Sequence, residues 1–97
     1  MAKYVVLYRF TPEGAKTIRD TVKRARQTRE ENEKRGFKVE TILWTQGSYD
    51  IVSIVDAPSE DAMMGAMTSV CAAGNVTSTT MRAFDDKEME QILKQTA

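Results

Sequence analysis

Trp44-Thr45-Gln46-Gly47-Ser48-Tyr49-Asp50 sets a tryptophan, a tyrosine and a carboxylate around one turn, between two β-like runs. A carboxylate at the head of an apolar strand can act as a general acid or base, and aromatic neighbours can line or close a pocket. Asp50 and Tyr49 are therefore the candidate catalytic residues, and Arg9, Trp44, Tyr49 and Asp50 the candidate ligand-binding set. Arg9 enters because the end of the first strand is expected beside the start of the third. An Arg9–Asp50 pair there would orient an anionic or carbonyl ligand, or poise Asp50 as a base. Each residue also has a plainer use. The pair can be a structural ion pair, or Asp50 can accept backbone N–H bonds in the turn. Tyr49 can pack with its hydroxyl in water, and Trp44 can sit at a subunit interface instead of a cavity wall.

Other chemistries lack their side chains. The chain has no histidine and one cysteine, so no Ser/His/Asp triad forms and the usual zinc, copper and haem ligand sets are missing. No loop shows the Asp/Asn spacing of a calcium site, and the scattered glycines form no phosphate-binding loop. No metal and no cofactor is expected. Cys71 lies among Val70, Ala72 and Ala73, where a buried, inert thiol is expected. A single cysteine excludes an internal disulfide and fits a reducing compartment. With 14 Lys+Arg against 14 Asp+Glu, nothing suggests a nucleic-acid partner. No run approaches the roughly 20 apolar residues of a membrane span, and the first strand-like segment is too short for a signal peptide. The expectation is a soluble cytoplasmic protein with no membrane partner, its 97 residues forming one small domain over 1–97.

The elements that must position these residues follow from local pattern. Lys3 to Phe10 is rich in β-branched and aromatic residues, apolar on both faces, and reads as a central strand. Thr11-Pro12-Glu13 starts a helix that can run to about Arg35, with Gly36 as its stop. Its apolar stripe of Ala15, Ile18, Val22 and Ala25 then fails at Arg29, Asn32 and Glu33, so the second half is weakly buried, kinked or packed against something polar. Phe37 to Thr45 is the second strand, with Val39, Thr41 and Leu43 alternating against Lys38, Glu40, Ile42 and Trp44. Gln46-Gly47-Ser48 makes the hairpin turn, and Tyr49 to Ala57 is the third strand. Ser59 caps a second helix that ends at Gly74-Asn75. Val76 to Phe84 is a half-polar edge strand, and Asp85 to Gln95 a terminal amphipathic helix with Met89, Ile92 and Leu93 facing in.

The order β-α-β-β-α-β, with one added helix, gives the ferredoxin-like α+β fold: a four-stranded antiparallel sheet ordered 4-1-3-2 with both helices on one face. Two helices leave the other face bare, although strands one and three carry apolar residues toward it. Two copies packing sheet on sheet would cover it, and a terminal helix folded back would cover part of it. The expected partner is therefore a second copy, in a homodimer or higher homo-oligomer.

The turn at Trp44–Asp50 resembles the signature of the GYD domain, a family named for its Gly, Tyr and Asp. Lys23-Arg24-Ala25, Asp56-Ala57-Pro58, Gly74-Asn75-Val76 and Arg82-Ala83-Phe84 resemble it in the same order, across nearly the whole chain. The resemblance implies the dimeric α/β-barrel class, in which two ferredoxin-like units join their sheets, and it carries over no catalytic assignment. Three readings stand. The first is a homo-oligomeric module that binds or senses a small molecule in a cavity lined by Leu7, Trp44, Asp50 and Val52. The second is a cofactor-independent enzyme with Asp50 as acid or base and Tyr49 or Arg9 orienting substrate. The third is an assembly protein in which these residues only build an interface. Arg24, matched by the family pattern, reads as a surface or interface pairing residue.

Overall fold

Side-chain alternation and helix caps fix the order of elements, which a computed structural model describes over all residues, Met1–Ala97. In chain order these are β1 (Ala2–Phe10), α1 (Pro12–Lys16), a 3₁₀ turn (Ile18–Asp20), α2 (Thr21–Lys34), β2 (Lys38–Trp44), β3 (Ile51–Ala57), α3 (Glu60–Ala72), β4 (Val76–Ala83) and α4 (Asp86–Leu93). The strands form one antiparallel sheet in the order β2-β3-β1-β4, which is 4-1-3-2 read from the other edge. The expected ferredoxin-like α+β fold is the observed one.

Register decides which residues meet the helices. Tyr4 faces Val55, Val6 faces Ser53 and Tyr8 faces Ile51, so these rows share the helix side of the pleat. The core gathers there: Tyr4, Val6, Phe37, Val55, Ala57, Met63 and Ala66, with Val6 wholly shielded at 0 % exposure. Val5, Leu7, Val52 and Ile54 occupy the opposite face, which no helix covers.

Caps hold the helix starts. The Thr11 hydroxyl accepts the Gly14 N–H at 3.1 Å and donates to the Gly74 carbonyl at 2.6 Å. The Thr11 N–H donates to the Asn75 carbonyl at 3.1 Å, so the start of α1 is clasped to the loop between α3 and β4. Ser59 accepts the Ala62 N–H at 3.0 Å, as a cap at that position requires. A capping box of Asp85 and Glu88 closes the start of α4.

Three expectations are corrected. The first long helix is broken at Thr17–Asp20 into α1, a 3₁₀ turn and α2. The Thr17 hydroxyl turns back to the Glu13 carbonyl at 3.3 Å, and the Thr17 carbonyl is taken by Arg24 at 2.9 Å. The tighter turn shifts the helical phase, which leaves Ile18 and Val22 at 48 % and 41 % exposure instead of in a buried stripe. In β2 the pairing shifts between Val39 and Thr41. This bulge at Glu40 re-phases the strand, so Val39, Ile42 and Trp44 share the helix side while Lys38, Thr41 and Leu43 face the bare side. Finally, Met89 and Leu93 of α4 do not face in. They are 44 % and 55 % exposed, and α4 makes no extended contact with any other element.

The clasp at the start of α1 leaves no room beside Gly14, where an added Cβ would lie 1.9 Å from the Asn75 carbonyl oxygen. Gly14→Ala is expected to cost about 2–3 kcal/mol, by forcing the backbone apart. Gly65, in the middle of α3 with open space around it, is the control: Gly65→Ala should stabilise by up to about 1 kcal/mol through helix propensity. Urea unfolding of the two variants checks the pair, and equal effects would refute the clasp.

Candidate functional site

A hollow lies between the sheet and the helices. It has a volume of about 330 Å³, within the size range of ligand sites. Its floor is the helix side of three strands, with Tyr8, Phe10, Val39, Ile42, Ile51 and Ser53. Met63, Met67 and Val70 of α3 close one flank, and Thr21, Arg24, Ala25, Thr28 and Asn32 of α2 form the roof.

The roof residues explain why the space exists. Positions 21, 24, 25, 28 and 32 recur on one helix face, and all but Ala25 are polar. Such a face gains little by closing on apolar strands, because burying unpartnered hydroxyl, amide or guanidinium groups costs more than the contact returns. α2 is instead held off the sheet by polar contacts at its first residue and past its middle. The Trp44 indole N–H donates to the Thr21 hydroxyl at 3.1 Å, and Arg29 donates to the Val39 carbonyl at 3.0 Å.

Polar groups point from both floor and roof. Ser53 is the one buried polar residue, at 6 % exposure. Burial pushes the Tyr8 phenol above its ordinary range; the neighbouring Ser53 hydroxyl opposes the shift and Cys71 adds to it. Arg24 donates to the Thr17 carbonyl at 2.9 Å, to the Thr17 hydroxyl at 2.8 Å and to the Gly14 carbonyl at 3.4 Å. Cys71 is exposed, not buried, with its sulfur 3.4 Å from the Ser78 hydroxyl. Ser78 pairs with Tyr8 on the helix side of the sheet, so the thiol sits where α3 meets β4. No three His, Cys, Asp or Glu side chains converge as a metal site.

The four residues singled out from the sequence do not converge on this hollow. Asp50 anchors the end of the β1–β3 ladder: its carboxylate accepts the Phe10 N–H at 2.8 Å, and its own N–H donates to the Tyr8 carbonyl at 2.8 Å. The Asp50 carbonyl accepts the Thr45 N–H at 2.9 Å, and the Thr45 hydroxyl donates to the Tyr49 carbonyl at 2.6 Å, which closes the loop around Gly47 at φ 110°. Arg9 makes no ion pair with Asp50 and instead lies over the Tyr49 ring, 4.8 Å from its centroid. Arg9 and Tyr49 border a separate polar hollow with Leu7, Thr77 and Thr79 on the bare side of the sheet. Trp44 stands on the helix side as a post under α2. Leu7 and Val52 face away from it, so one cavity does not take in Leu7, Trp44, Asp50 and Val52 together.

The turn, the ladder anchor at Asp50 and the clasp at Gly74-Asn75 are thus all structural devices of one sheet. A family model described as GYD domain matches residues 4–93. The chain belongs to the GYD domain family. No match was found among curated proteins or among solved structures. In this GYD domain the Gly, Tyr and Asp of the turn do identifiable mechanical work: Gly47 takes the positive φ, Tyr49 carries Arg9, and Asp50 secures Phe10. The sequence pattern does not single out Tyr8, Ser53, Thr28 and Asn75 as site residues, and it gives Arg24 only as a surface or interface pairing residue. The signal for the roof was the failed apolar stripe, whose polar replacement faces a strongly apolar sheet.

Two outcomes test this geometry. Asp50→Ala should destabilise by about 1–3 kcal/mol, the cost of leaving the Phe10 N–H without its partner, and Asp50→Asn, which keeps an acceptor, should cost less; urea unfolding measures both. Tyr8 should be the last of the 3 tyrosines to ionise in an alkaline absorbance titration. Because its folded pKa is raised, the stability it contributes is full below the ordinary phenol value near 10 and is lost as pH climbs through the folded value. Tyr8→Phe should remove that late step and that alkaline loss; a late step that persists assigns it elsewhere.

Proposed function

We propose that this GYD domain is a cytoplasmic small-molecule binding or sensing module that works as a homo-oligomer. The observation that carries the reading is the hollow under α2: about 330 Å³, apolar for the most part, with Tyr8, Ser53, Arg24, Thr28 and Asn75 set around it. A few polar groups in an otherwise apolar concavity is the composition of a ligand site. No helix of the chain is long and apolar enough to cross a membrane.

Self-association is supported by the bare side of the sheet. Only 10 of 97 residues are buried, so the chain alone leaves much of its apolar side-chain area wet. Val5, Leu7, Val52 and Ile54 form the middle of that face, with Leu43 at 57 % and Met81 at 43 % exposure along its edges. Charges stand at the two ends of this strip. Lys3 pairs with Glu40, and with Asp56 at 3.5 Å; its ammonium is held above the ordinary range by the Glu40 bond, and Glu40 below its range by Lys3. Arg9 on Tyr49 marks the other end. An apolar strip with polar ends suits two sheets stacked face to face, related by a two-fold axis. The hollow lies on the opposite side of the sheet, so each copy keeps its own. Asp50 draws no support as an acid or base, because it lies outside the hollow and one carboxylate oxygen is committed to Phe10.

Native mass spectrometry of freshly purified protein tests both halves. The expected spectrum is an even-numbered oligomer with extra bound mass. Leu7→Glu, which places a charge in the middle of the strip, should give monomers. Val70→Trp, which fills the hollow, should keep the oligomer and lose the extra mass. A wild-type monomer overturns the sheet-on-sheet arrangement, and extra mass that survives Val70→Trp overturns the hollow as its site.

A further inference from the structure

We infer that the hollow under α2 takes a monoanionic ligand with an apolar body, of the aromatic or short aliphatic carboxylate class, and that Arg24 holds its carboxylate. The inference rests on the hollow being a ligand site, and it names the ligand's chemistry from the charges that line it. Three charged side chains do so: Arg24, Arg29 and Glu31. Arg29 is neutralised by Glu33 at 3.1 Å. Glu31 is exposed at the outer turn of α2. Arg24 is half-buried and takes part in none of the chain's ion pairs.

A guanidinium stays protonated under all ordinary conditions, so the lining of the hollow carries a permanent positive charge at Arg24. Its known partners are all neutral oxygens: the Thr17 carbonyl, the Thr17 hydroxyl and the Gly14 carbonyl. These three contacts use three of the five N–H donors of an arginine. They fix the plane of the group and leave donors free, and a carboxylate is the acceptor whose two oxygens match such a fork. One unpaired cation balances one negative charge, which favours a carboxylate over a phosphate dianion. Phe10, Ile42, Ile51, Met67 and Val70 supply apolar surface for the rest of the ligand, in a volume suited to a ring or a short acyl chain. Tyr8 and Ser53 on the floor add hydroxyls for a substituent on that body.

The test is an amide chemical-shift titration of the wild-type protein with phenylacetate, the neutral phenethyl alcohol and the cationic phenethylamine. Phenylacetate is expected to shift the amides of Tyr8, Thr28 and Ser53 and to bind about tenfold or more tightly than the alcohol, as one charge-assisted contact implies. The amine should bind most weakly. Arg24→Gln should erase the preference while the alcohol still binds, and Arg24→Lys should keep part of it; the amide spectrum shows whether each variant is folded. The wild-type comparison stands even if a variant does not fold. Equal binding of acid and alcohol overturns the carboxylate class and leaves the hollow as a ligand site. Shifts confined to the Arg9–Tyr49 side of the sheet, or no shifts at all, also overturn it, while the retained mass in the native spectrum decides the hollow separately.

Discussion

The rest of the structure depends on one mismatch, a polar helix face laid over an apolar sheet. Thr21, Arg24, Thr28 and Asn32 of α2 look toward Tyr8, Ile42 and Ile51. Neither surface satisfies the other, so α2 cannot sink onto the strands as α3 does through Met63 and Ala66. Polar groups that close on apolar ones lose water without gaining partners, and the helix rests instead on the bonds from Trp44 and Arg29. Stand-off of this kind keeps a cavity open without a ligand, because collapse would bury the roof hydroxyls and the Arg24 charge.

The same mismatch divides the molecule into two regimes of packing. On the α3 side the core is close-packed, with Val6 wholly enclosed and Met63 and Ala66 buried against it. On the α2 side contact is by directed polar bonds, each worth about 1 kcal/mol net, and these are easier to open locally than a packed core. Access to the hollow is therefore more readily gained past α2 than past α3. The break at Thr17–Asp20 belongs to the same regime, since Arg24 holds that turn by its carbonyl and hydroxyl.

Strand order and helix starts were legible in the sequence because they rest on short-range chemistry. Thr11 and Ser59 are caps by type and place, and the β-branched runs before and after them admit few other pairings. The bulge was not legible, because Thr41 and Leu43 and their neighbours Ile42 and Trp44 are acceptable on either face, so alternation alone fixes no phase. The helix break was hidden for a different reason: it is stabilised by Arg24, a contact seven residues along that no propensity records. For the site, the family turn drew attention to Asp50 and Tyr49, whose work is to secure β1 and to carry Arg9. The hollow itself was legible only as a negative sign, the loss of the apolar stripe after Ala25.

The bulge at Glu40 has a consequence for how this chain is set beside its relatives. Residues before and after it are counted from different origins, as if a frame had slipped by one. A relative whose second strand is regular must be aligned with a gap at Glu40. Aligned without one, its residues opposite Ile42 and Trp44 would point to the wrong side of the sheet, and a residue of the helix side would be matched to one of the bare side.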